Sequence, residues 1–328
     1  MAESTRRTAS QLWTVAPGRY ELRSGSAGEM AADMLTVRTL ASAVSRGTER
    51  LVLEGAVPTG ETRRMRAPFQ KGEFPFPVQY GYQSVGIVEA GPPAWLGRTV
   101  FALHPHQDVC VLPIASATPV PECIPPRRAT LAANMETALN ALWDAGAGPG
   151  DRITVVGGGV VGLLVTALAA ALPGADVTLV DVRPERAALA RSFGAAFAAP
   201  DRLQDDADIV FHTSATAAGL ATALAAGGLE ARIVEMSWYG DRAPAVPLGE
   251  SFHSRRLQLI GSQVGQVSPS RRPRWPYARR LAKAMALLDD ERFDRLITHV
   301  VPFAEAPSRL PELMAGDADA LAIVLVYE

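Results

Sequence analysis

Gly157, Gly159 and Gly162 follow the β-branched run Ile153-Thr154-Val155-Val156 at GxGxxG spacing, and an apolar helical pattern resumes after them through about Ala171. A pyrophosphate must lie close to backbone N–H groups, and side chains here would hold it off. Gly157 permits the tight turn out of the strand, Gly159 lets the backbone approach, and Gly162 lets helix and strand pack closely. The free N–H groups and dipole of the helix N-terminus favour the anion. Asp181 closes the next apolar run, Asp176-Val177-Thr178-Leu179-Val180, nineteen residues after Gly162. Its carboxylate is placed to accept hydrogen bonds from the adenosine ribose hydroxyls and to repel a 2′-phosphate, so NAD(H) is favoured over NADP(H). Arg183 tempers that preference, because a swung guanidinium pairs with phosphate. The candidate dinucleotide site is therefore Gly157, Gly158, Gly159, Val160, Val161 and Gly162, with Asp181 and Arg183. A glycine-rich turn that binds nothing is the plainer alternative, and a flavin or S-adenosylmethionine are others. The strand before, the helix after and the answering acid together favour the dinucleotide.

Such a turn needs a parallel sheet to carry it, and the surrounding sequence has the matching rhythm. Helical spacing over 131–144 is followed by alternating strand and helix patterns at 153–156, 160–171, 176–181, 184–193, 208–211, 216–226, 231–236 and 257–261. That alternation predicts a parallel sheet wrapped by helices, with its ligand at the carboxyl ends of the strands. From Gln11 to about Arg127 the texture differs: short strands at 11–15, 34–44, 85–90, 99–103 and 109–113, separated by Gly and Pro, predict an antiparallel β-rich domain. A helix from about Ala278 to Leu288 and strand-like residues at 297–302 and 320–327 suggest a return to the first domain. The expected division is 1–133, 134–272 and 273–328.

Bulk properties narrow the function classes. A chain of 328 residues, 48% hydrophobic, is long enough for two cored domains. A net charge of -2 gives no global field for nucleic acid or anionic lipid. The two cysteines, Cys110 and Cys123, are too few for a disulfide framework or a four-cysteine zinc lobe, and a cytoplasmic setting fits best. Arg6-Arg7 is followed by no apolar core, so residues 1 to about 10 read as a frayed tail rather than an export signal. The glycines interrupt the apolar run from Ile153 to Ala171 too early for a membrane span. The basic-aromatic stretch from Arg271 to Arg280, broken by Pro273 and Pro276, reads as a solvated linker, and as an anion-attracting lip in second place.

Four stretches carry a resemblance to the medium-chain dehydrogenase/reductase superfamily over nearly the whole chain: Ala43-Val44-Ser45-Arg46-Gly47-Thr48-Glu49, Tyr80-Gly81-Tyr82-Gln83-Ser84-Val85-Gly86, the glycine turn, and Leu296-Ile297-Thr298-His299-Val300-Val301-Pro302-Phe303. The resemblance implies an α/β fold, a doubly wound Rossmann sheet plus a GroES-like β-rich catalytic domain completed by the C-terminal segment. Zinc-dependent members hold their catalytic metal through positions that correspond here to Arg46, to Tyr82 with Gln83, and to Ala132 or Ala133, none a usable ligand. The structural zinc lobe has no counterpart in Phe101-Ala102-Leu103-His104-Pro105-His106-Gln107. Any metal would have to be rebuilt from His104, His106, Glu136 or Cys110, so a zinc-free enzyme is expected.

Hydride exchange with an alcohol carbon requires something to stabilise charge on the substrate oxygen and something to move its proton. The resemblance puts Arg46 near the vacated metal position, where a guanidinium restores positive charge; a structural pair with Glu49 is the alternative. Thr48 corresponds to a proton-relaying hydroxyl, otherwise a threonine at a strand end. Tyr82 is placed to donate a phenolic proton, although an aromatic beside glycine also serves packing. His104 falls where relatives line the substrate pocket, as a general acid/base, with His106 the weaker candidate. His253 and His299 read as structural or solvated, and Glu136 as a solvated helix-start carboxylate or a contact to Arg46 or the nicotinamide end.

Within the superfamily, Ser45-Arg46-Gly47-Thr48-Glu49-Arg50 and Ala133-Asn134-Met135-Glu136-Thr137-Ala138-Leu139-Asn140 look most like a zinc-less branch that includes bacteriochlorophyllide hydroxyethyl dehydrogenase-like proteins. That likeness hints at a bulky secondary alcohol, and the function expected is a zinc-independent, NAD(H)-dependent oxidoreductase interconverting a secondary alcohol and a ketone of small-molecule class, acting as a cytoplasmic homodimer without nucleic-acid or membrane partners. A quinone or enone reductase and a non-catalytic nucleotide-binding sensor are the alternatives.

Overall fold

The computed structural model describes residues 7–316 and 318–328. The chain divides into two compact units, residues 1–133 with 285–328 and residues 134–284. Each is described by itself.

The first unit is built from short strands: β1 (Thr8–Ala16), β2 (Arg19–Ser26), β3 (Met34–Val44), β4 (Lys71–Gly72), β5 (Val78–Gln79), β6 (Ser84–Ala90), β7 (Thr99–Ala102), β8 (Val109–Pro113) and β9 (Thr118–Pro119), with helices α1 (Arg46–Glu54) and α2 (Pro126–Ala129). Two sheets result. One has the order β2-β1-β5-β4 and is antiparallel throughout. The six residues 1–6 of the expected tail, Arg6 among them, lie outside the described residues; from Thr8 on the chain is strand, not tail. The reason is pairing: Thr8 lies opposite Ser26, and Ala9 is buried under it. The long hydrophobic β3 is the hub of the other sheet, pairing with β6 and β8.

In the second unit α3 (Ala132–Ala145) leads, from residue 134, into β10 (Arg152–Val156), α4 (Val160–Ala170), β11 (Asp176–Val180), α5 (Arg186–Ser192), β12 (Ala196–Ala198), β13 (Ala207–His212), α6 (Ala217–Ala226), β14 (Gly227–Glu235), β15 (Gln258–Gly261) and α7 (Tyr277–Ala286). The strands form one parallel sheet in the order β12-β11-β10-β13-β14-β15. Strand order reverses direction between β10 and β13, which opens a crevice at their carboxyl ends. Ile153, Val155, Ile209, Val210 and Phe211 are fully buried, as strands covered on both faces require.

The chain then returns to the first unit as β16 (Ile297–Pro302), α8 (Ala306–Leu313) and β17 (Ala322–Val326). β17 pairs antiparallel with β3 and parallel with β16, and Leu310 and Leu325 join Leu12, Tyr20 and Leu53 in one buried cluster.

The return comes later than the expected residue 273. Arg280 on α7 explains it: its guanidinium is buried against Glu136 Oε1 (2.9 Å), Asn140 Oδ1 (2.6 Å) and the Gln266 and Val264 carbonyls, which ties this helix to the second unit. The stretch from Arg271 to Arg280 is accordingly not a plain solvated linker. Trp275 packs on Trp143 at 4.8 Å, with Arg271 over Trp143 and Arg279 over Trp275. Glu136 is neither solvated nor in contact with Arg46; burial pushes its carboxyl up, against the pull of Arg280.

Candidate functional site

In the second unit the glycine turn joins the carboxyl end of β10 to the start of α4. Gly157 has φ +110°, a conformation that L side chains rarely adopt, and a Cβ there would meet Ser214 N at 2.8 Å. A Cβ on Gly162 would collide with the Gly157 carbonyl oxygen. Gly159 is different: a Cβ there would meet nothing within 4 Å, so the turn leaves open space before α4, whose free N–H groups an anion could use. Asp181 sits at the end of β11 with Oδ2 accepting from Gly158 N (2.5 Å) and Oδ1 accepting from Arg183 N (2.8 Å). The carboxylate is thereby pinned beside the turn. Open room at Gly159, forced glycines on either side and a fixed acid make a donor set that fits a dinucleotide.

The first unit gathers a second set of groups around α1. Thr48 lies inside this helix, not at a strand end, because the chain turns helical immediately after β3. Tyr82 stands close enough to the Ser45 and Thr48 hydroxyls to feel them, and burial pushes its phenol up to about 12. Tyr80 stands edge-on to it at 6.0 Å.

Beneath them runs a buried chain. Glu49 Oε1 accepts from Ser45 N (2.7 Å), and Glu49 Oε2 pairs with His106 Nε2 (3.0 Å). His106 Nδ1 meets Ser42 Oγ (2.7 Å), which meets Tyr327 OH (2.7 Å). Burial keeps the Tyr327 phenol protonated. A single direction of donation satisfies every member: Tyr327 O–H to Ser42, Ser42 O–H to His106 Nδ1, and His106 Nε2–H to the Glu49 carboxylate. Gly81, at φ +122°, gives His106 its room, since a Cβ there would meet the imidazole at 2.7 Å. A cavity of about 10 Å³ beside Glu49, His106, Tyr20 and Tyr80 is the size of one water.

Arg46 is held elsewhere. Its guanidinium donates to the carbonyls of Ala320 (2.8 Å), Ala318 (2.9 Å) and Ala315, so neither the pairing with Glu49 nor a free charge describes it. His104 is buried, donates through Nδ1–H to the Pro105 carbonyl (3.0 Å), and stacks on Phe69; burial lowers its imidazole to about 4. The structure therefore brings Thr48 and Tyr82 together and leaves Arg46 and His104 with other partners. Glu49, Ser42 and Tyr327 are the members that sequence reasoning passed over as a set.

Zinc does not fit these residues. Arg46, Tyr82, Gln83, Ala132 and Ala133 bring a bound guanidinium, a phenol, an amide and two methyl groups to the positions where zinc-dependent relatives carry ligands. Both ring nitrogens of His106 are engaged, burial pushes the Cys110 thiol up to about 12, and Glu136 is paired with Arg280. Among the described residues no three His, Cys, Asp or Glu side chains converge.

Comparison with known proteins bears on the dinucleotide-binding fold, and the similar proteins include ones named zinc-type and zinc-binding. Residues 143–237 match the family described as alanine dehydrogenase/PNT, C-terminal domain. An uncharacterized zinc-type alcohol dehydrogenase-like protein of Haemophilus influenzae is 25% identical over 235 residues, 67% of this chain and 64% of that one. The chain is thus similar to alcohol dehydrogenase-like proteins of the medium-chain dehydrogenase/reductase type. It spans less than two thirds of the Haemophilus relative's length. The medium-chain fold recurs in a putative zinc-binding dehydrogenase from Sinorhizobium meliloti 1021 bound to NADP, with TM-score 0.78, 18% identity and 98% and 100% of the two chains covered. It recurs again in a short chain alcohol dehydrogenase from Escherichia coli CFT073 complexed with NADH, with TM-score 0.76, 14% identity and 97% and 99% coverage. As in those structures, the Rossmann sheet is accompanied by an antiparallel β-rich unit. Among the described residues no helix is long and apolar enough to cross a membrane.

Proposed function

We propose that this protein is an NAD(H)-dependent oxidoreductase that interconverts a secondary alcohol and a ketone without zinc. The observation that carries the reading is Tyr82: a buried, protonated phenol beside the Ser45 and Thr48 hydroxyls stands at a position that corresponds to a ligand of zinc-dependent members. Gly157 to Gly162 and Asp181 would hold the dinucleotide, and its nicotinamide ring supplies or takes the hydride when bound. Tyr82 donates its proton to the substrate oxygen as charge develops there, and the Thr48 and Ser45 hydroxyls stabilise the phenolate left behind. Glu49 keeps that phenolate basic, so the proton returns readily; it is among the groups that raise the Tyr82 phenol. In the alcohol-oxidising direction Tyr82 takes the substrate proton as its own phenolic proton passes on through Thr48. His104, uncharged at neutral pH, forms an apolar wall with Phe69 and is at most a weak base. Arg46 donates to the carbonyls of Ala315, Ala318 and Ala320 rather than to an oxyanion.

NAD(H) is preferred because the pinned Asp181 carboxylate would repel a 2′-phosphate, with Arg183 as the residue that tempers it. A cytoplasmic homodimer is the assembly this reading expects. Tyr82→Phe is expected to lower kcat by about 10²- to 10⁴-fold while the Kd for NADH stays unchanged. An unchanged kcat refutes Tyr82 as the proton donor. Wild-type protein that binds NADH but oxidises none of it across a broad carbonyl panel would instead be a nucleotide sensor.

A further inference from the structure

A second buried polar cluster lies at the carboxyl edge of the parallel sheet. β13 and β14 run side by side with His212 opposite Glu235, so two apolar strands end together in polar residues. His212 is fully buried; its Nδ1 lies 2.8 Å from Glu235 Oε2 and its Nε2 lies 2.7 Å from Ser214 Oγ.

Donor and acceptor roles follow from the surrounding groups. Burial would raise the Glu235 carboxyl, but hydrogen bonds from His212 and Ser237 outweigh it and hold the group below the usual carboxylate range. Glu235 also accepts from Ser237 N (2.7 Å) and from Tyr239 OH (3.1 Å), whose phenol is pushed up by burial and by Glu235 itself. An ionised Glu235 puts the imidazole proton on Nδ1, so Nε2 presents a lone pair and the Ser214 O–H donates to it. On the other side Thr216 Oγ1 accepts from Gly219 N and lies 3.0 Å from Ser214 Oγ, so its own O–H is left to donate to the serine.

Gly219 completes the arrangement: a Cβ there would collide with Ser214 Oγ and stand 2.9 Å from His212 Nε2. Ser214 is half-buried beside exposed Thr216 and Ala217, so small molecules can reach it.

We propose that Ser214 is an activated nucleophile, with His212 as its base and Glu235 orienting that base, and that it takes acyl groups from small activated esters. Nucleophile, base and orienting acid stand in the relation that nucleophilic catalysis requires. Ser214 Oγ bonds to the acyl carbon as the ester C–O bond breaks; the hydroxyl proton passes to His212 Nε2 and on to the leaving alkoxide. Water then attacks the acyl-serine, giving its proton to His212, which returns it to Ser214 Oγ as the carboxylic acid leaves. No atom changes oxidation state.

The test treats the full chain with an alkyl fluorophosphonate, which bonds phosphorus to the serine oxygen as fluoride leaves, and maps the adduct by mass spectrometry. Ser214 should label at least about 10²-fold faster than in the urea-unfolded chain, and about as much faster than in His212→Asn or Glu235→Gln. Ser214→Ala should carry no adduct in that peptide. Absence of label on Ser214, or equal rates in wild type and both variants, overturns the proposal. If circular dichroism shows His212→Asn to be unfolded, Glu235→Gln gives the reading, its carboxylate being only partly enclosed. The readout needs no hydride transfer, so it stands or falls apart from the dehydrogenase activity.

Discussion

Asp181 uses both carboxylate oxygens to hold backbone N–H groups, of Gly158 and Arg183, yet each oxygen keeps a lone pair for a ribose hydroxyl. Removing it leaves the turn without its fixed negative charge. Asp181→Ala is therefore expected to raise the ratio of kcat/KM with NADPH to that with NADH at least about tenfold, or about 1.4 kcal/mol. Steady-state assays with both cofactors check this, and an unchanged ratio would mean that the ribose contact lies elsewhere. The placement of Asp181 beside the turn was legible in the sequence because it is local: a fixed distance from the glycines, at the end of the next strand. The pairs Glu49 with His106 and His212 with Glu235 were not, because their partners stand 57 and 23 residues apart and meet only through sheet and helix packing. Arg46 went astray for the same reason, its carbonyl partners lying more than 260 residues away.

At the scale of elements, α4 rests on β10 through a contact that only glycine allows at position 162. Gly162→Val would push the helix away from the Gly157 carbonyl, at a cost of about 1–3 kcal/mol, and displace the N–H groups meant for the pyrophosphate. A lower Tm together with loss of NADH fluorescence binding is expected; tight binding by this variant would show that the turn does not hold the dinucleotide. The parallel strands read clearly in the sequence because both faces are buried and each run is apolar. α1 did not, since a single residue separates its nine residues from β3 and they carry Gly47 in their first turn, and β2 did not, since its residues are mostly polar and pair along one edge of their sheet. Arg280 explains the late return of the chain: a buried guanidinium bound to two α3 side chains cannot be recognised inside a run of exposed arginines.

For the whole molecule, acid stability carries a mark of His104. Its folded value of about 4 lies below the ordinary 6.5, so on acidification the unfolded chain takes up this proton first. Its contribution is present in full above about pH 6.5 and is lost as pH falls toward 4, by about 3 kcal/mol in all. Urea unfolding at pH 7 and pH 5 should show His104→Phe losing less stability over that interval than wild type; equal losses would mean that the imidazole is not held neutral. The first unit thus keeps an uncharged histidine and a protonated Tyr82 at neutral pH, and the second holds a pinned carboxylate beside a glycine turn. Proton transfer by a side chain in place of a metal is the central claim. The direct measurement is NADH oxidation with a ketone panel by protein stripped of metal with a chelator. Turnover that persists without metal, and is not raised by added zinc, is the expected result; turnover that appears only when zinc is restored in stoichiometric amount would contradict it.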